Sequence, residues 1–180
     1  MKYYLSLGYI LLVLTQTSSY QHQAIASTPK QILASTKSSQ SHRVFQPILP
    51  KLKQKTKIKI LLPQFIPNDD GVNPIYAIIE NSTPNQYAII LGYTPNCNGG
   101  TACRLGAISG EAVTAKTPRL TGKKVSLAKG ITGYFLESRC GANCSDATLT
   151  WRQQNVQYTF GIKAGRSTSL IKMANSAIHL

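Results

Sequence analysis

Acidic residues are scarce in this 180-residue chain: six Asp and Glu stand against twenty Lys and Arg, a formal net charge of +14. Three histidines, four cysteines and one tryptophan complete a thin stock of reactive groups. General acid–base work and metal ligation draw mainly on carboxylates, imidazoles and thiolates, so the shortage limits catalysis before any motif is sought. No histidine lies between His42 and His179. A Ser-His-acid or Cys-His arrangement therefore lacks its base within the predicted core. The acids are Asp69, Asp70, Glu80, Glu111, Glu137 and Asp146. They form no recognisable pair, and a hydrolase would have to use Glu80, Glu111 or Glu137. Asn68-Asp69-Asp70-Gly71 reads as a turn; the later ligands and closing Glu of a calcium loop are missing. Gly122-Lys123-Lys124 lacks the glycine spacing of a phosphate loop. We assign no catalytic residue, metal site or cofactor, and expect a protein that is not an enzyme. Charge is also sparse overall, at 14% of residues, yet 42% are apolar, too many for a wholly disordered chain.

Long hydrophobic runs are confined to the start. Lys2 precedes an uncharged, largely apolar stretch of twelve residues, 3–14, and Ala24-Ile25-Ala26 follows a polar segment. A basic start, a short apolar run and an A-x-A site describe a secretory signal peptide over 1–26. Twelve helical residues reach about 18 Å, well short of a hydrocarbon core roughly 30 Å thick. An uncleaved signal anchor is the alternative. With 1–26 removed, no later segment is apolar enough to span a membrane, and the expected location is the periplasm or the exterior.

Residues 27–50 are rich in Ser, Thr, Gln, Lys and Pro and are read as a flexible basic linker. From 27 to 59 there are eight basic residues and no acid; from 60 to 180 there are eleven basic and six acidic. The remainder, 51–180, is long enough for one core and is full of strand signals. Residues 57–62 alternate and then turn apolar before Pro63. Residues 75–80 and 86–91 flank a hairpin, and 103–113, 124–128, 133–138, 148–152 and 156–163 follow. In the last strand Val156, Tyr158, Phe160 and Ile162 share one face. The period then changes: Leu170, Ile171, Met173, Ala174, Ala177 and Ile178 mark one side of an amphipathic helix, with Ser167 or Thr168 as its N-cap. Strands first and a helix last predict an α+β domain, a single antiparallel sheet with the C-terminal helix on one face.

Cys97, Cys103, Cys140 and Cys144 are even in number and follow an export signal, which favours two disulfides. Three connectivities exist. Local pairing, Cys97 with Cys103 and Cys140 with Cys144, is favoured because each pair brackets a turn-like loop. A four-cysteine zinc site is the rival, and the five residues between the first two cysteines exceed its usual spacing.

Lys51, Lys53, Lys55, Lys57 and Lys59 occupy alternate positions. On an extended strand they would line one side at about 6.7 Å intervals, a comb for acidic lipid headgroups or acidic polysaccharide. The plainer reading is an edge strand guarded by lysines. Aromatic residues are absent between 46 and 64, so stacking on single-stranded nucleic acid is not supported, and no specific nucleic acid is expected.

Three blocks occur in order: Gly130-Ile131-Thr132-Gly133-Tyr134-Phe135, then Leu149-Thr150-Trp151 with Val156-Gln157-Tyr158, then 169–178 (SLIKMANSAI). Over about 122–178 this resembles a bacterial domain of unknown function at the C-terminus of anti-sigma-factor-like and other exported proteins. The wider stretch 57–178, with Leu61-Leu62-Pro63 and paired cysteines, is similar to uncharacterised exported proteins of photosynthetic bacteria. The resemblance implies export and supplies no catalytic residues. The expected function is a small exported, non-catalytic domain of the cell envelope, binding or structural; the alternative is a polyanion- or anionic-surface-binding module using Lys51–Lys59.

Overall fold

The computed structural model describes residues 40–100, 102–141 and 143–180. The expected signal peptide at 1–26, and the expected linker up to residue 39, lie outside the described residues. Seven strands form one sheet: β1 (Tyr76–Thr83), β2 (Gln86–Gly92), β3 (Arg104–Ala112), β4 (Lys123–Ser126), β5 (Thr132–Leu136), β6 (Asp146–Gln153) and β7 (Val156–Lys163). Their order is β1-β2-β3-β7-β6-β5-β4, and every neighbouring pair is antiparallel. After β3 the chain crosses to the far edge, and β4 to β7 meander back until β7 closes on β3. Pro84-Asn85 closes the β1–β2 hairpin, where Thr83 pairs with Gln86. Gln154-Asn155 closes β6–β7 with φ of +52° and +59°, the left-handed pair of a two-residue hairpin turn.

Period-two alternation decides which side is buried. Tyr87, Ile89 and Leu91 of β2, Ile108 of β3, Tyr158, Phe160 and Ile162 of β7, and Leu149 and Trp151 of β6 all face one core. Trp151 stacks on Tyr158 with centroids 5.5 Å apart and meets Phe160 edge-on at 4.8 Å. Helix α2 (Ser167–Ile178) seals this side against β6 and β7, burying Leu170, Met173, Ala174, Ala177 and Ile178. The α+β architecture is therefore the one expected. The N-cap position falls on Arg166, without a side-chain cap bond, rather than on Ser167 or Thr168.

Two expectations about the front of the domain are corrected. The linker assigned up to residue 50 is ordered from about residue 42. Arg43–Phe45 is a 3-10 turn and Leu49–Lys55 is helix α1. Phe45 and Leu52 are fully buried, with Val44, Ile48 and Leu49 packed behind them. Positions 44, 45, 48, 49 and 52 follow the helical period, so burial offsets the ordering cost that the polar composition suggested.

Residues 57–62, expected as a strand, form no ladder. They run as an extended strap across the core face of the sheet, and side chains satisfy their backbone. Leu61 N–H donates to Tyr87 Oη (3.2 Å), and Tyr87 Oη–H donates to Leu61 C=O (3.0 Å). Tyr158 Oη–H donates to Lys59 C=O at 2.9 Å, and Lys57 N–H to Pro84 C=O at 2.9 Å. Leu61 and Leu62 are both buried. Consecutive residues of a strand point to opposite sides, so a segment enclosed on both sides belongs between layers and not at the edge of a one-sided sheet. Ser176 of α2 rivets the strap's end: its Oγ accepts from Gln64 N–H and Phe65 N–H, each at 3.1 Å. Its neighbour Asn175 accepts from Ala128 N–H at 2.7 Å.

Candidate functional site

The five lysines do not form a comb. Pro50 sits in the first turn of α1, where its fixed φ and missing N–H suit a helix start. Leu52 points into the core with Leu49 half-buried beside it, and residues 50, 51 and 53–55 are left to solvent. Lys51 and Lys55 are one turn apart, about 6 Å along the axis, and Lys53 lies round the other side. Lys57 and Lys59 follow on the strap, alternating with half-buried Ile58 and Ile60. All five side chains are exposed, and none joins an ion pair among the described residues. Thr56, at the C-cap, anchors the group: its Oγ1 donates to Thr83 C=O and contacts Ser82 Oγ. The lysine-guarded edge expected here occurs instead at β4, a four-residue strand carrying Lys123 and Lys124.

The cysteines pair locally, Cys97 with Cys103 and Cys140 with Cys144. All four sulfurs are thus committed to disulfides, and no thiolate remains for the rival zinc site. The first bridge closes the β2–β3 loop and buries Cys97; the second pins the β5–β6 connection. Both loops border a cleft of about 360 Å³ that also contains Arg104, Asp146 and Lys163. Arg104 reaches Asp146 at 2.6 Å over Gly161 of the intervening strand.

The remaining carboxylates are dispersed. Glu80 is on β1, Glu111 on β3 and Glu137 follows β5. Three inter-strand gaps, about 14 Å, separate β3 from β5. Glu111 accepts from Gln157 Nε2 at 2.8 Å. Asp70 makes the expected turn: Val72 N–H and Asn73 N–H donate to its Oδ1, and these two bonds hold its carboxyl below the ordinary value.

One juxtaposition escaped the sequence reading. His42, assigned to the linker, sits with Nε2 2.7 Å from Asp69 Oδ2, beside a depression of about 410 Å³. Such a pair orients an imidazole for proton transfer in hydrolytic triads. Here the other nitrogen, Nδ1, faces Val44 N–H as a helix-cap acceptor, and no hydroxyl or thiol lines the depression. The pair acts as a clasp between the domain's entry and the loop before β1. The apolar spacing of 44–52 was the signal that could have brought His42 into the fold.

The side of the sheet opposite the helices carries Ile78, Ile90, Ala107 and Leu136 in one register row and polar residues in the next. In register across β3, β7, β6 and β5 stand Ser109, Thr159, Thr150 and Tyr134. The Thr150 and Thr159 hydroxyls are 3.1 Å apart. Below them Arg152 Nε donates to Gln157 Oε1 at 3.1 Å, and its Nη2 donates to Pro118 C=O. Arg119, Leu120, Ile131, Thr132, Tyr134 and Arg152 outline a shallow depression of about 500 Å³ on this side.

The fold and its two disulfides define an α+β domain stapled for an oxidising, extracellular-type setting. No family model, curated protein or solved structure matches the chain.

Proposed function

We propose that this chain is a small exported, non-catalytic domain of the cell envelope, periplasmic or secreted, with a binding or structural role. The observation that supports it best is the pair of local disulfides, a covalent feature that persists in oxidising compartments and is rare where glutathione keeps thiols reduced. The signal-like residues 1–26 agree with it, as does the resemblance of 122–178 to exported anti-sigma-factor-like domains. The test is fractionation of the tagged full-length chain with thiol labelling. The reading expects a chain shortened at about residue 26, outside the cytoplasm, with all four cysteines unreactive until reduced. A cytoplasmic chain with free thiols would overturn it.

A second reading concerns what the domain holds. Five exposed, unpaired lysines within nine residues favour attachment to an anionic envelope component, lipid headgroup or acidic polysaccharide. At roughly 1 kcal/mol per Lys near an anionic surface, five supply about 5 kcal/mol before ordering costs, enough for salt-sensitive retention. The short helix supports a clustered contact rather than a linear one, since Lys51 and Lys55 approach the surface together. Replacing all five by Gln should release the protein from phosphatidylglycerol vesicles or acidic polysaccharide at low salt; unchanged retention would remove this reading.

A further inference from the structure

We propose that the uncovered side of the sheet carries a second site, for an acidic polysaccharide, centred on Tyr134. The proposal takes from the proposed function only the envelope setting and uses none of the lysines at 51–59. Both helices pack on the core side, which leaves the other side of β3, β7, β6, β5 and β4 half-exposed. The register sets Ser109, Thr159, Thr150, Tyr134 and Lys124 directly opposite one another. Strands lie about 4.8 Å apart, so three hydroxyls, a phenol and an ammonium form a straight rank across five strands. Such a rank matches a ligand that is itself extended and rich in hydroxyl groups.

The Tyr134 end of the rank adds the two features that a sugar acid needs. The tyrosine offers a flat ring with a polar tip, on which the C–H face of a pyranose can lie. Around it stand Arg119, Lys124 and Arg152. Arg152 is held in place by Gln157 and Pro118, and Gln157 is held in turn by Glu111, so little freedom is lost on binding. Arg119 and Lys124 have no acidic partner among the described residues. On this side Asp146 is neutralised by Arg104. Glu111 accepts from the neutral amide of Gln157, which leaves one carboxylate charge against the three cations around Tyr134. The local field is positive, and a guanidinium meets a carboxylate through paired hydrogen bonds. The depression of about 500 Å³ lies within the range of small-ligand sites. A nucleic-acid strand would ask for several stacking aromatics, and this side offers one in the rank.

The test uses the purified protein with oligogalacturonate as probe, read by calorimetry and by amide shift changes. Binding should move the resonances of 132–134, 150–152 and 159, and neutral dextran should move none. Arg119→Gln and Tyr134→Ala should each weaken oligogalacturonate binding about tenfold with an unchanged melting temperature. Should Tyr134→Ala fail to fold, Arg119→Gln decides alone, since Arg119 is exposed and its loss leaves the core intact. Replacing the five lysines at 51–59 by Gln should leave the Tyr134-dependent part in place. Unaltered affinity in Arg119→Gln would overturn the site. So would binding abolished by the lysine replacements alone, an outcome that leaves the basic-segment reading standing. Phosphatidylglycerol vesicles bound with the same dependence on Tyr134 would also overturn it, because the ligand would then be a lipid surface.

Discussion

Tyr87 offers the sharpest check on how the strap is held, because one oxygen serves two backbone groups. Its hydroxyl accepts from Leu61 N–H at 3.2 Å and donates to Leu61 C=O at 3.0 Å. Both partners are buried; Tyr87 is 1% exposed and Leu61 3%. Tyr87→Phe keeps the ring and removes only the oxygen, leaving a buried N–H and a buried C=O without their partner. Each such group costs about 1–3 kcal/mol, so a loss of about 2–4 kcal/mol is expected after partial relaxation. For a domain of this size that corresponds to a melting temperature lower by roughly 6–14 °C. Urea unfolding followed by the fluorescence of the single Trp151 measures it, with an unchanged m-value expected. The ring itself lies over Gly110, where an added Cβ would stand 2.6 Å from the Tyr87 ring. Gly110→Ala therefore displaces the same hydroxyl, and its cost should be markedly less in the Tyr87→Phe background than in the wild type. A loss below about 0.5 kcal/mol in Tyr87→Phe, or full additivity with Gly110→Ala, would refute the account of the strap.

Three other outcomes are expected. Removing the first bridge with Cys97→Ser and Cys103→Ser should cost about 2 kcal/mol by loop entropy, measurable as a lower urea midpoint; no change would show that the bridge restricts the unfolded chain less than its loop length implies. Burial raises the phenol of Tyr158 from 10.0 to about 12 and that of Tyr87 further still. A raised folded value means that this stability is fully present below about pH 10 and is lost as pH climbs through the folded value. Denaturant midpoints should accordingly be insensitive to these tyrosines from pH 7 to 9 and fall above pH 10, less steeply in Tyr158→Phe. Replacing the exposed turn Gln154-Asn155 by Asn-Gly should raise stability by about 0.5–1 kcal/mol, because both positions have positive φ; a decrease in melting temperature would contradict the assigned turn.

Most of the sheet was legible because β6 and β7 alternate and β1 and β2 flank a turn signal, and α2 because its apolar residues recur at the helical period. The front of the domain was not, for identifiable reasons. Lys57-Ile58-Lys59-Ile60 alternates equally well in an edge strand and in a strap laid over a sheet. Only the joint burial of Leu61 and Leu62 separates the two. Helix α1 has seven residues and two apolar positions of its own; its period emerges when Val44, Phe45 and Ile48 are joined to it. His42 was lost with that segment, so its clasp with Asp69 went unseen. The rank from Ser109 to Lys124 could not be read at all. Its members come from five strands scattered over some fifty residues, and register alone aligns them.

We propose, as the second functional reading, that the lysines at 51–59 hold the exported domain to anionic envelope material. Salt-stepped elution of the native protein from its own envelope fraction, with the variant carrying Gln at 51, 53, 55, 57 and 59 alongside, tests it most directly. The account predicts wild-type retention at low ionic strength and release as salt rises, with the variant released earlier, since exposed charges weaken beyond a Debye length of about 8 Å at physiological salt. Wild type and variant eluting together, at any salt, would contradict it.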